Sequence, residues 1–206
     1  MKFDHLGNAP TISDSAYVAP TATITGPVQI DAGASVLHGA ILTAEFGARL
    51  TIGSNTVIME SAVLRASGPF DLTVGDSCLI GPQTYLTGCR IGHGCYLSRG
   101  VSVFNGADVG DGCWVTINCV LAPHARLDSR REVPAYHLVR GDKIFSPSEA
   151  ADDRAAWDHD VSHSEFFDRI FRSGSGLGRT LDDRMAEAME RYSAALARHS
   201  LDACID

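Results

Sequence analysis

Four side chains in the first hundred residues carry the charges and proton affinities that chemistry on a small anion requires. Arg65 and Arg99 could bind a carboxylate or a phosphate, because a guanidinium group forms charge-assisted hydrogen bonds to either. His38 or Glu60 could act as a general base for such a ligand. The other candidates for contacting or orienting the ligand are polar side chains, namely Thr43, Glu45, Gln83, Tyr85, Thr87 and Asn105. These residues are far apart in sequence, so their chemistry depends on the fold that positions them.

An aliphatic residue recurs every six positions through most of the chain, and this repeat predicts the fold. A six-residue period fits neither an α-helix nor a coiled coil. The repeat is interrupted by two insertions, TAEFGARLT and RASGPFDLT, and by a slip of one residue after Leu86. The nineteen positions are Ile12, Val18, Ile24, Ile30, Val36, Leu42, Ile52, Ile58, Leu64, Val74, Ile80, Leu86, Ile91, Leu97, Val103, Val109, Val115, Leu121 and Leu127.

Small residues and turn residues separate the aliphatic positions, which indicates a coil with three sides and three corners. Segments such as Ile52-Gly53-Ser54-Asn55 supply the left-handed backbone that corners need. Each aliphatic side chain would point inward, and successive coils would pair as parallel strands. The sequence therefore predicts a mainly β fold, a left-handed parallel β-helix of about six coils followed by C-terminal α-helices. The coils are expected to start at 12, 30, 52, 74, 91 and 109.

Composition limits the classes of partner. The formal net charge of −8 argues against nucleic acid or an anionic membrane. No apolar run has the length of a membrane span, and the first residues lack the apolar segment of a secretory signal, so a cytoplasmic location is expected. The six cysteines form no C-x-x-C pair. Cys78, Cys95, Cys113 and Cys119 fall at small corner positions and are interpreted as reduced, buried thiols.

The repeat ends at Leu127, and the rest of the chain predicts a different organisation. We expect a β-helix domain over 1–143 and a helical extension over 144–206. A helix is predicted from Pro147 to Trp157, with Ser146 as N-cap and Glu149 completing a capping box. A second helix is predicted from Thr180 to His199, because apolar residues recur there at helical spacing.

Several segments resemble the γ-class carbonic anhydrases of the hexapeptide-repeat superfamily. They are VAPTATITGPVQIDAGASVLHGAILTAE, IGSNTVIMESAVLR, VGDSCLIGPQTYLTGCRIGHGCYLSRGVSVFNGADVGDGCWV and LVRG. The likeness covers about residues 10–143, including both insertions and the slip. It implies a homotrimer with active sites between subunits, and in the family three histidines hold a zinc ion there.

The resemblance places Arg65, Pro82 and Thr87 at the positions of the three zinc-binding histidines. Proline has no side-chain donor, arginine is a permanent cation, and one threonine is a poor ligand. We therefore expect no metal at that position and no carbonic anhydrase activity, since no bound water would be activated there. No cofactor is expected, although acyl-CoA could be a substrate.

Stacking the coils gives two columns that the family geometry would bring together across the subunit interface. Arg65 and Thr87 would form one wall, and Glu60, Arg99 and His38 the other. Three functions remain open. The first is a metal-independent enzyme for a small anionic or acyl substrate, by acyl transfer or thioester hydrolysis. The second is a non-catalytic scaffold in which salt bridges between subunits, from Arg65 to Glu60 or Glu45, take the place of the zinc, and the third is a rewired metalloenzyme.

The remaining histidines give little support to a site. A displaced metal site built from His38, Glu45 and Glu60 is the weakest alternative, and a catalytic role for His124 is not favoured. The histidines outside the repeat carry no motif; they are His5, His137, His159, His163 and His199.

Overall fold

The computed structural model describes residues 1–152, 189–190, 193–194 and 197–205. Its described part is a left-handed parallel β-helix with three faces, as the hexapeptide repeat predicts. Ile12 pairs in register with Ile30, Ile30 with Ile52, and the series continues through Val74 to Leu127. The coil starts predicted from the sequence are therefore in register with one another.

The first two faces are parallel sheets that contain one strand from every coil. The first face contains β2 (Thr11–Ile12), β5 (Val28–Ile30), β8 (Leu50–Ile52), β11 (Leu72–Val74), β14 (Arg90–Ile91), β17 (Asp108–Val109) and β20 (Arg126–Leu127). The second contains β3 (Tyr17–Val18), β6 (Ser35–Val36), β9 (Val57–Ile58), β12 (Leu79–Ile80), β15 (Tyr96–Leu97), β18 (Trp114–Val115) and β21 (Glu132–Val133).

The third face is longer because strands from both ends of the chain join it. Among them, β23 and β24 are antiparallel to their neighbours. The face contains β1 (Lys2–Asp4), β4 (Thr23–Thr25), β7 (Ile41–Glu45), β10 (Val63–Ser67), β13 (Tyr85–Thr87), β16 (Ser102–Val103), β19 (Val120–Leu121), β22 (Leu138–Arg140), β23 (Lys143–Phe145) and β24 (Ala203–Cys204).

The interior is filled by the repeating aliphatic side chains, with small residues at the corners. Ile24, Leu42 and Leu64 stack in register on the third face and are fully buried. The repeat continues past Leu127 to Val133 and Val139, which are also buried. The β-helix consequently has seven coils of three strands, with β1 as an eighth parallel strand on the third face, where the sequence predicted about six coils. The difference at the C-terminal end arises because the residues around Val133 retain the six-residue period.

The two insertions lengthen the third face instead of leaving it. They make β7 and β10 five residues long, and the added residues pair with each other, Ala44 with Ala66 and Glu45 with Ser67. Ser67 then turns back to bridge Phe70. Both insertions therefore extend strands of the same face, next to Arg65.

The C-terminal segment returns to the start of the chain. The helix α1 (Pro147–Asp152) begins as predicted: the Ser146 N–H donates to Glu149 Oε2 at 2.8 Å, and the Glu149 N–H donates to Ser146 Oγ at 3.4 Å. A 3-10 helix (Ala197–Leu201) precedes β24, which pairs with β1. Within the described ranges, neither helix has the length and hydropathy of a membrane span.

Most of the predicted helical extension lies outside the described residues, including the end of the Pro147–Trp157 helix and most of the Thr180–His199 helix. The domain boundary after residue 143 stays a prediction, and β23 crosses it.

All six cysteines are thiols, and five are buried. The thiols of Cys78, Cys95 and Cys113 donate to the carbonyl oxygens of Gly92, Gly110 and Asp128. Burial raises the pKa of the Cys89 thiol to about 12. These cysteines act as small core residues, as predicted.

We expect a single thiol to react rapidly with iodoacetamide at pH 8. Cys204 is exposed, whereas the other five thiols are buried away from the reagent. Burial also raises the pKa of Cys89 and Cys113, which therefore supply almost no thiolate. A hydrogen bond with Cys95 lowers the pKa of Cys78, so that thiol is protected by its burial alone. Mass spectrometry of the folded protein should find one modification on the Cys204 peptide, and Cys204→Ser should remove it. Rapid labelling of Cys89 would contradict its assignment as a buried thiol with a raised pKa.

Candidate functional site

The column predicted on the third face is present, with Arg65 at its centre. Arg65 pairs in register with Thr43 on one side and with Thr87 on the other, and Thr43 pairs with Thr25. Alternate residues along a strand point to opposite sides. Because Leu42, Leu64 and Leu86 fill the interior, their neighbours in this column face outward.

Glu45 is a buried carboxylate on the outer side of this face. Its side chain is only 6% exposed, although it points away from the helix interior. The 3-10 helix lies over it: His199 Nε2 is 3.6 Å from Glu45 Oε1, and an Arg65 guanidinium nitrogen is 3.6 Å from Glu45 Oε2. The Arg65–Glu45 pair therefore forms within one chain, whereas the scaffold alternative expected it between subunits.

Two polar atoms near Arg65 lack hydrogen bonds. Among the described residues, Thr43 Oγ1 and Glu45 Oε2 are buried without a hydrogen bond, although the Arg65 guanidinium lies 3.6 Å from Glu45 Oε2. An unsatisfied buried polar group is costly, so such atoms mark places where a ligand or water would be stabilised.

A second group of candidates lies one coil further along the same face. Thr87 Oγ1 donates to Asn105 Oδ1 at 2.8 Å, and Tyr85 packs against Phe104 with ring centroids 6.1 Å apart. Beside Thr87 an open groove of about 340 Å³ separates the second insertion from the coils. Its lining residues are Pro69, Phe70, Asp71, Thr73, Gly88, Cys89, Arg90, Gly106, Ala107 and Asp108.

The remaining candidates lie at the corner between the second and third faces. His38 Nδ1 is 2.8 Å from the Thr21 hydroxyl, and Arg99 Nε donates to Gln83 Oε1 at 3.0 Å. Glu60 is exposed. The structure thus brings together Arg65 with Glu45, Thr87 with Asn105 and Arg99 with Gln83. The residues on the third face and those at the corner would share one cleft only if a neighbouring subunit brought them together. This arrangement stays a prediction.

The three residues that the resemblance places at zinc-binding positions do not fit a zinc ion. Arg65 and Thr87 are neighbours across β10 and β13, and Pro82 follows β12 at the corner. The three offer one hydroxyl oxygen and a permanent cation, whereas zinc takes three or four imidazole, thiolate or carboxylate ligands.

Sequence reasoning missed a cluster formed by His5, His199 and Asp202. His5 Nδ1 lies 2.7 Å from Asp202 Oδ1, and His199 Nδ1 lies 2.7 Å from Asp202 Oδ2. The two imidazole rings stack with centroids 4.5 Å apart. Burial opposes ionisation of the Asp202 carboxyl, but hydrogen bonds from His199 and His5 outweigh it and lower its pKa.

The sequence contains only a weak indication of this cluster. His199 and Asp202 are three residues apart, which places two ligands on one side of a helical turn, but nothing in the sequence connects them to His5. The three residues of the alternative metal site, His38, Glu45 and Glu60, are not brought together within one chain. Glu45 is near His199, His38 contacts Thr21, and Glu60 is exposed.

Comparison with known proteins gives relatives of two kinds, and no family model matches the chain. It is 27% identical over 127 residues to the mitochondrial γ carbonic anhydrase 1 of Arabidopsis thaliana, covering 59% of this chain and 46% of that protein. It is 24% identical over 181 residues to the carnitine operon protein CaiE of Escherichia coli, covering 88% of each. The chain thus spans about half the length of its plant relatives.

Two solved structures share the fold. One is a proposed acetyltransferase of Bacillus cereus, with a TM-score of 0.63 at 18% identity, covering 98% of this chain and 96% of that one. The other is a hexapeptide transferase family protein of Anaplasma phagocytophilum, with a TM-score of 0.61 at 19% identity, covering 81% and 97%.

Proposed function

We propose that this chain, which is γ-carbonic-anhydrase-like and has the hexapeptide-repeat β-helix fold, is an enzyme without carbonic anhydrase activity. It acts on a small anionic or acyl, coenzyme A-type substrate at the interface of a homotrimer. Zinc is not used at the family's position. The cytoplasmic location expected from the sequence is part of the same proposal.

One feature carries this proposal, the residues that the resemblance places at the family's zinc positions. A half-buried arginine stands where the resemblance puts one histidine, and its neighbours in register are Thr43 and Thr87. Such a column supplies a cation flanked by hydroxyls, which favours an anion over a metal.

Acyl transfer or thioester hydrolysis is the leading chemistry. The superfamily's acyltransferases bind acyl-CoA in clefts between subunits, and an open groove that Gly88 lines lies next to Thr87. In this mechanism Arg65 and Arg99 of neighbouring subunits bind the anionic groups, and Thr43, Gln83, Tyr85, Thr87 and Asn105 orient the substrate. His38 or Glu60 removes the proton from the attacking hydroxyl, amine or water.

Carbonic anhydrase activity and ligand binding test the proposal directly. Zinc-supplemented protein should not accelerate CO2 hydration above buffer. Acetyl-CoA should bind the wild type by calorimetry, and Arg65→Ala should weaken this binding at least tenfold, because the cation is lost. Arg126→Ala is the matched control, since Arg126 is exposed on the first face and should leave affinity unchanged.

A non-catalytic scaffold is the second candidate, and the Arg65–Glu45 pair within one chain favours it. In that case Arg65→Ala would lower the stability of the protein or the trimer fraction in analytical ultracentrifugation. The wild-type protein would show no acetyl-CoA binding. Zinc-dependent CO2 hydration would overturn both candidates.

A further inference from the structure

We propose that His5, His199 and Asp202 bind one divalent transition-metal ion of the Zn²⁺ class, at a place separate from the family's zinc position. One nitrogen of each histidine and one carboxylate oxygen of Asp202 lie within 4.8 Å of one another. Two imidazoles and one carboxylate are a donor set that holds Zn²⁺ or Fe²⁺ with positions left open.

The present distances are those of a site that needs little rearrangement. In a tetrahedral zinc site the ligands lie about 2.0–2.2 Å from the metal. The two 2.7 Å contacts of Asp202 show that the carboxylate already faces both Nδ1 atoms. A metal bound at Nδ1 requires the ring proton to reside on Nε2, and in His199 that nitrogen faces Glu45 Oε1 at 3.6 Å.

Glu45 faces this cluster from β7. Its side chain is more than nine-tenths buried, with Oε1 3.6 Å from His199 Nε2 and Oε2 3.6 Å from the Arg65 guanidinium. A carboxylate that accepts the remaining N–H of a metal-bound histidine fixes the ring and raises its basicity. Glu45 therefore fits the role of a positioning residue, held in turn by Arg65 at 3.6 Å.

The ligands come from segments that the fold already joins. His5 directly follows β1, and Asp202 directly precedes β24, which is antiparallel to β1 with Phe3 opposite Cys204. His5 is 7% exposed and the Asp202 side chain 9%. The pre-paired strands remove most of the chain entropy that ligand assembly would otherwise cost, so a shielded site is available to a metal.

Zinc titration of the whole 206-residue chain, first stripped with a chelator, tests this site. We expect one Zn²⁺ per chain by elemental analysis after dialysis, and Co²⁺ in its place should give the visible absorption of a four-coordinate ion. His5→Ala and Asp202→Asn should each weaken Zn²⁺ binding at least a hundredfold, and Glu45→Gln about tenfold to a hundredfold.

His93→Ala is the matched control, because His93 forms another histidine–aspartate pair, 3.2 Å from Asp76, but at the exposed surface. It should not change zinc affinity. Asp202→Asn keeps the side chain's shape, so its circular dichroism should match the wild type. Zinc that does not bind the wild type, or that binds equally well to His5→Ala and Asp202→Asn, overturns the proposal. Loss of zinc in Thr87→Val alone would instead locate the metal at the family's position.

Discussion

Gly26→Ala is expected to lower the free energy of unfolding by about 2–5 kcal/mol. Gly26 has a φ of +82°, a conformation that costs an alanine about 1–2 kcal/mol. In addition, a Cβ there would overlap the backbone carbonyl oxygen of Ala44 in the next coil. Because that atom belongs to the backbone of β7, the strand itself would have to move.

Gly47→Ala separates the two causes. Gly47 has a similar φ of +85°, but a Cβ there would meet no atom within 4 Å, so only the conformational cost of about 1–2 kcal/mol applies. Urea denaturation of both variants measures the difference. Equal losses of stability would show that the contact between Gly26 and Ala44 does not constrain the coils.

The same glycine positions the candidate sites. The Gly26 N–H donates to the Phe3 carbonyl oxygen, and Ala44 directly precedes Glu45. Displacing β7 would therefore change the spacing between β1, which leads to His5, and Glu45. We expect Gly26→Ala to weaken zinc binding as well as stability, whereas Gly47→Ala should affect it little.

Arg65→Met is expected to destabilise the protein by about 1–3 kcal/mol, because it removes the cation facing a buried carboxylate. Glu45 would keep its burial and lose the partner at 3.6 Å. Adding Glu45→Gln should recover part of this loss, since a neutral amide is less costly to bury than a charge.

The four proteins of this double-mutant cycle should show a coupling energy of about 0.5 kcal/mol or more in urea denaturation. The coupling energy is expected to be small because the Arg65 side chain is 32% exposed and solvent screens its attraction to Glu45. Additive effects would show that Arg65 and Glu45 do not stabilise each other. Arg65 would then be retained for binding alone.

The periodic part of the molecule could be predicted from the sequence because each coil repeats the same local rule. An aliphatic residue every six positions determines which side chains face inward, and hence that Thr43, Arg65 and Thr87 share one outer column. Even the insertions left this register intact, since they add equal lengths to β7 and β10. Only the last coil was missed, where Val133 and Val139 continue the period.

The tertiary structure alone decided what covers that column. Glu45 is buried because a segment from near the other end of the sequence lies over it, and no repeat encodes that contact. His5 and Asp202 meet across 197 positions of sequence, joined by the antiparallel pairing of β24 with β1. Local spacing specifies which residues share a face; it does not specify which distant strand closes the edge of the sheet, because that depends on the folded coils offering an unpaired edge. The arginine column was therefore readable from the sequence, and the histidine–aspartate cluster beside it was not.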